Sequence, residues 1–188
     1  SFNFLMEFAE DKVIYGVNTG LGPMAQFKIK DKDRIQLQYN LIRSHSSGTS
    51  NILTHKYAKA AMLARLNTLC LGHSGVHPSV VKLMATLIDR NISPIIYEHG
   101  GVGASGDLVQ LAHLALALIG EGEVWHKGVR KNTKEVFEIE NLQPIFFTSS
   151  NTPRAKLFLK KEGLAMLKKY GQNQVWQKKN LGGSLLFL

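Results

Sequence analysis

The chain has 188 residues, 44% hydrophobic and 20% charged, with 17 Gly, 5 Pro and one Cys, an ordinary globular composition that excludes disordered and collagen-like chains and suits one domain, or one and part of another. Its net charge of +9 is uneven: residues 1–150 carry 15 Lys+Arg against 13 Asp+Glu, residues 151–188 carry 8 against 1. A basic excess confined to a tail without regularly interleaved aromatics is not the pattern of a binding groove, so no nucleic-acid partner is expected.

No segment reaches the ~18–20 uninterrupted apolar residues of a membrane helix, so no membrane partner is expected either. Ser1 to Glu7 has no basic leader and reads as the middle of a helix, with residues expected before it. A glycine-rich loop follows, Tyr15-Gly16-Val17-Asn18-Thr19-Gly20-Leu21-Gly22. No Gly-Lys-Ser/Thr follows it, so it is no P-loop, and a tyrosine there ordinarily anchors packing.

From Asp31 to about Ser46 the residues Ile35, Tyr39 and Ile42 recur at i, i+4, i+7 beside Leu37 and Leu41, which predicts an amphipathic helix with Asp31 or Asp33 as N-cap. His45 closes its inner face, after Ser44, and by position alone is a satisfied core histidine. A second helix is expected from Thr54 to Leu71, stopped by Gly72. The lone Cys70 lies in its apolar run and reads as a core thiol in a reducing compartment, the cytoplasm.

His73 and His77 have the i, i+4 spacing of a metal pair, but Gly72, Gly75 and Pro78 break any helix that would align them, and no metal is expected. A third helix starts at Pro78, carries Val80, Val81, Leu83, Met84, Leu87 and Ile88, and ends at Asn91. A buried helix is expected over Leu108 to Ile119. Between residues 123 and 140 the alternation of Val124 and His126, then Glu135-Val136-Phe137-Glu138-Ile139, broken at Lys127-Gly128 and Lys131-Asn132, predicts a short two-stranded ribbon. Residues 141–155 are turn-rich and form the expected boundary, with a helical pattern restarting near Lys156.

Gly101-Val102-Gly103-Ala104-Ser105-Gly106 satisfies G-x-G-x-x-G by letter. A dinucleotide site needs a parallel strand pair around it, and Asp107 would oppose a phosphate at the helix start. Two other readings remain open on the residues alone. One is a tight loop capping a helix, with Ser105 or Asp107 as N-cap. The other is a glycine amide that bends back onto the carbonyl two residues earlier, which Ala104-Ser105-Gly106 permits.

Taken together, Tyr15 to Gly20, Asn40-Leu41-Ile42-Arg43-Ser44-His45-Ser46-Ser47-Gly48, Gly103-Ala104-Ser105-Gly106-Asp107-Leu108 with Leu111-Ala112-His113, and Ile119-Gly120-Glu121-Gly122-Glu123 resemble, in order and spacing, the aromatic amino-acid ammonia-lyases and their histidine-specific branch. The likeness covers about residues 1–145 and returns at Glu162-Gly163-Leu164-Ala165-Met166. It implies a mainly α fold, the N-terminal part of the ammonia-lyase helical fold, with the ribbon near residues 123–140. Residues 1–150 are then the catalytic-type region and residues 151–188 the start of a helical region with a basic tail unlike the family.

The resemblance implies that Ala104-Ser105-Gly106 cyclises with loss of two waters to the electrophile 4-methylidene-imidazol-5-one (MIO), with Ser105 supplying the methylidene carbon and no external cofactor. The positive end of the Leu108 to Ile119 helix would favour electron density arriving there. Tyr15 matches the family's base for the β-proton. Ser44-His45 stands where phenylalanine-specific members usually carry Phe-Leu, and a polar pair can hydrogen-bond an imidazole. The implied reaction is L-histidine to urocanate and ammonia. A tyrosine or other aromatic amino-acid ammonia-lyase or aminomutase is the alternative, because a histidine also binds a phenol. The implied partners are the amino acid and further copies of the chain, a homotetramer in the family.

The sequence departs from the family at Leu21, Gly101 and Val109-Gln110, where Phe, Ser and Ala-Pro are common, and again after Leu167, where Lys168-Lys169-Tyr170-Gly171 replaces an Asn-Gly-Thr segment. From this, a truncated or frame-shifted, inactive member is a further expectation.

Overall fold

The computed structural model describes residues 1–10, 12–15, 17–101 and 108–146. Among them six α-helices alternate with short strands in chain order: α1 (Phe2–Glu10), α2 (Asp31–His45), β1 (Thr49–Ile52), α3 (His55–Cys70), α4 (Pro78–Asp89), β2 (Ser93–Pro94), β3 (Tyr97–His99), α5 (Leu108–Leu118), β4 (Glu123–His126), β5 (Val129–Asn132) and α6 (Thr133–Ile139). The mainly α expectation holds. None of these helices is long and apolar enough to cross a membrane.

The helices follow their apolar periods. In α4, Val80, Leu83, Met84 and Leu87 are buried at i, i+3, i+4, i+7. Pro78 opens the helix and the His77 side chain caps it, its Nδ1 accepting the Ser79 amide proton at 3.3 Å. At its other end Arg90 N–H reaches Thr86 O and Ile92 N–H reaches Leu87 O, around an Asn91 with φ +57°. That is a left-handed helix stop filled by asparagine instead of glycine. Gly120, φ +81°, ends α5 the same way, with Glu121 N–H on Leu116 O.

α5 is the centre of the fold. Leu114, Ala117 and Leu118 enter the main core with Met62 and Leu69 of α3, the α4 stripe, Ile92, Val124, Val136, Phe137 and Ile145. Its opposite side meets α2, where Leu41 packs with Ala112, and Ile42 with Ala115 and Ile119. A helix covered on both sides has no use for a polar stripe, which explains its near-uniform apolar sequence.

The sheets are small and antiparallel. β1 pairs with β3, with Thr49 opposite His99 and Ile52 opposite Tyr97. β2, β4 and β5 form a three-stranded sheet in that order, Pro94 lying on an edge strand where its missing donor costs nothing. β4 and β5 turn through Lys127 and Gly128, both at positive φ, a two-residue hairpin at the first of the two breaks in the predicted ribbon. The antiparallel β2–β4 pairing also removes the parallel strand pair that a dinucleotide-binding unit requires.

Three expectations are corrected. Residues 133–139 are helix α6, not the second half of a ribbon: Asn132 caps it by accepting the Lys134 amide proton at 3.0 Å, and Thr133, Val136 and Phe137 are buried at helical spacing. The ribbon is confined to residues 123–132. Cys70 is exposed, because α3 buries Ala58, Met62 and Leu69 and the next residue lies about 100° round the helix. The N-cap of α2 is Lys30, whose side chain makes no capping bond, and Asp31 is already helical.

Candidate active site

The loop after α1 is organised by Asn18, which is fully buried. Its Oδ1 accepts the Ile14 amide proton at 2.7 Å, and its Nδ2 donates to Lys12 O at 2.7 Å and Ala9 O at 3.2 Å. The side-chain amide therefore does what a strand ladder would otherwise do for this backbone. Gly20 lies so close to Met24 that a Cβ there would stand 2.6 Å from the Met24 carbonyl oxygen. This frame presents Tyr15 at the surface, its hydroxyl accepting the Gly22 amide proton at 3.1 Å. The hydroxyl's own proton is left for another partner.

At the end of α2 His45 is half-buried, consistent with its place at the edge of the inner face. Its Nδ1 lies 2.9 Å from Leu41 O and 3.1 Å from Ser44 Oγ, while Ser44 Oγ donates to Leu41 O at 3.1 Å. A carbonyl only accepts, so Nδ1 carries a hydrogen and donates it to Leu41 O. Two residues before His45, Arg43 grips Glu121 with two bonds, Nε to Oε2 at 3.0 Å and Nη2 to Oε1 at 2.6 Å, which ties this end of α2 to the turn after α5. That carboxylate holds the guanidinium above its ordinary value.

Ala104, Ser105 and Gly106 lie outside the described residues. The chain on either side is described: a Cβ on Gly100 would collide with Val109, so the backbone before the triplet touches the first turn of the helix after it. Leu21 of the Tyr15 loop, Leu41 of α2, and Leu108 and Ala112 of α5 meet in one apolar cluster. Three segments far apart in sequence are thereby brought together: the tyrosine loop, the Ser44-His45 segment and the helix that follows Ala104-Ser105-Gly106.

Asn18, Gly22, Gly48 and His113 stand within the motifs quoted above, but the contacts they make here cannot be read from local sequence. His113 Nε2 accepts the Gly48 amide proton at 3.1 Å, and burial holds this imidazole below its ordinary value. A second polar constellation, His55 Nδ1 at 2.7 Å from Ser93 Oγ and Nε2 at 2.9 Å from Asn91 Oδ1, looks like a nucleophile triad. Ser93 is completely buried, so no substrate reaches it and the set fastens α3 to β2. His73 and His77 do not act as a pair, since His77 is spent on the α4 cap, and no cluster of metal-ligating side chains occurs among the described residues.

The sequence model of the aromatic amino acid lyase family matches residues 1–167. The chain is 40% identical over 158 residues to histidine ammonia-lyase of Bacillus cytotoxicus, covering 84% of this chain and 29% of that protein. It is 48% identical over 132 residues to tyrosine 2,3-aminomutase of Chondromyces crocatus, covering 70% of this chain and 25% of that protein. Among solved structures, tyrosine aminomutase from Streptomyces globisporus matches with a TM-score of 0.69 at 36% identity, over 87% of this chain and 28% of that one. Histidine ammonia-lyase from Trypanosoma cruzi matches with a TM-score of 0.68 at 29% identity, over 78% of this chain and 29% of that one. The chain spans less than a third of the length of the curated relatives it matches. The family match reaches as far as Leu167, the residue after which the sequence departs from the motif pattern, and with it the loop, helix and cluster geometry fall into one account: the chain belongs to the aromatic amino acid lyase family.

Proposed function

We propose that this chain is part of a carbon–nitrogen lyase that eliminates ammonia from L-histidine to give urocanate. The observation that carries this reading is the cluster of Leu21, Leu41, Leu108 and Ala112, which gathers the Tyr15 loop, the Ser44-His45 segment and the helix after Ala104-Ser105-Gly106 at one place. The numerous histidine ammonia-lyase relatives support the choice of substrate.

The triplet fits the MIO group by its chemistry, since Gly106 brings an amide without side-chain hindrance and Ser105 a hydroxyl that can leave as water. The chain before it is closely packed on α5, through Gly100 against Val109. When formed, the group supplies an electrophile that turns the substrate's amine into a leaving group.

The rest of the task falls to side chains. Tyr15, with its oxygen held by Gly22 N–H, takes the β-proton. Ser44 and His45 hydrogen-bond the substrate's imidazole, the His45 ring being oriented by its Nδ1–H bond to Leu41 O. The large exposed side chains around Tyr15, namely Val13, Met24 and Phe27, suit contact with further copies of the protein in a cytoplasmic homotetramer.

The 48% identity to a tyrosine 2,3-aminomutase favours a second reading, in which the same residues move the amine of tyrosine to the β-carbon. Incubation with L-histidine and with L-tyrosine separates the two: urocanate supports the first, a β-amino acid the second. Intact mass short by two waters, restored in Ser105→Ala together with loss of product, is the expected result. A full-mass chain that still forms urocanate would overturn the role given to the triplet.

A further inference from the structure

α5 gives one side to the main core and one to α2, and His113 belongs to neither apolar set. It is nevertheless buried, its ring against Tyr97 of β3 with centroids 5.2 Å apart and planes at 55°. A ring nitrogen that accepts an amide proton carries none itself, so the neutral His113 ring bears its hydrogen on Nδ1. Burial, which penalises the charged form, maintains that state.

The other partner is backbone. Gly48 lies three residues beyond His45, and a Cβ there would stand 2.9 Å from His113 Nε2 and 3.0 Å from Tyr97 Cβ. A Cβ on Gly100 would lie 3.4 Å from the Gly48 Cα as well as striking Val109. Two glycine backbones thus pass each other against α5, at a spacing that admits no side chain on either. Ser46 closes the end of α2, with N–H and Oγ both on Ile42 O at 3.1 and 2.8 Å. The stretch from Ser46 to Gly48 is therefore held by α2 at one end and by His113 at the other.

We infer that His113 is a positioning residue for substrate selection: by accepting the Gly48 amide proton it fixes the Ser44-His45 end of α2 against the helix that follows Ala104-Ser105-Gly106, and so sets where the substrate's ring sits relative to the reacting centre. The selectivity part of this inference rests on the reading of Ser44, His45 and the triplet proposed above. His113 acts through the loop and not on the substrate.

Two substitutions in the full chain separate this role from simple packing. In His113→Gln the Oε1 reaches about where Nε2 stands and can accept the same proton, whereas His113→Leu fills similar space and accepts nothing. Exchange of the Gly48 amide is followed by NMR, with the buried amides of α4 as a check on the fold, and L-histidine and L-tyrosine are titrated into each variant. For His113→Leu, Gly48 exchange about tenfold faster and a preference for histidine over tyrosine about tenfold smaller are expected, the scale of one lost hydrogen bond. His113→Gln should restore both. Unchanged Gly48 exchange in His113→Leu, an equal loss in both variants, or a loosened loop with unaltered preference would overturn the inference. A parent chain that binds neither amino acid defeats the functional reading and the selectivity role with it, a result distinct from a loop that never loosens.

Discussion

His126 and Glu140 are joined by a bond of 2.7 Å from Nε2 to Oε1, with the imidazole almost wholly enclosed. Arg90 Nη1 stands 3.5 Å from the other carboxylate oxygen and also donates to the Glu140 carbonyl. One acidic residue thus connects β4, the end of α6 and the end of α4.

That connection makes stability depend on pH. The His126 hydrogen bond, helped by the charges of His126, Lys127 and Arg90, holds the Glu140 carboxyl below its ordinary value of 4.5. A carboxyl lowered by folding stabilises the native state fully above that ordinary value and loses the contribution as pH falls through its native one. Glu140→Gln should therefore lower the urea midpoint at pH 7, and the gap from the parent should close as the pH falls through the carboxyl's native value. Parallel urea midpoints across that range would refute the linkage.

Asn18→Ala removes a fully buried acceptor and donor together and leaves the Ile14 amide without its partner. A loss of about 1–3 kcal/mol is expected in urea unfolding. The damage should be local to the loop that presents Tyr15, so product formation should fall further than stability does. Asn18→Asp, which keeps the Oδ1 acceptor, should recover part of the loss.

Asn132→Ala tests the helical assignment of residues 133–139. Removing a side chain that caps a helix costs about 0.5–2 kcal/mol, whereas the same change in a ribbon strand would leave the midpoint nearly where it was. A fall in helical circular dichroism should accompany the destabilisation.

Cys70 should react with a thiol reagent in the folded protein, without denaturant, at a rate close to that of a free thiol, because its side chain faces solvent. Protection in native buffer and release only on unfolding would restore the core position suggested by its apolar neighbours.

What the sequence reveals depends on how far apart the interacting residues are. α4 is legible because its four buried residues repeat over two turns between a proline and a left-handed stop. In Glu135-Val136-Phe137-Glu138-Ile139 the pattern is too short to tell a period of 2 from one of 3.6. The deciding signal was Asn132 followed three residues later by Glu135, a helix-start signature. Cys70 misleads because α3 carries apolar residues on exposed faces too, Tyr57 and Leu63 among them. Within the site, Tyr15 and Ser44-His45 stand in motifs that can be read directly. The bond from Gly48 to His113 crosses 65 positions, and no local pattern encodes it.

With neighbours on three sides, α5 cannot slide along its axis without disturbing the core, α2 and the β1–β3 edge together. Its head is a fixed datum. Any redesign of Ser44 or His45 at the end of α2 is therefore registered against a stationary reference, which confines the effect of each substitution to the chosen contact.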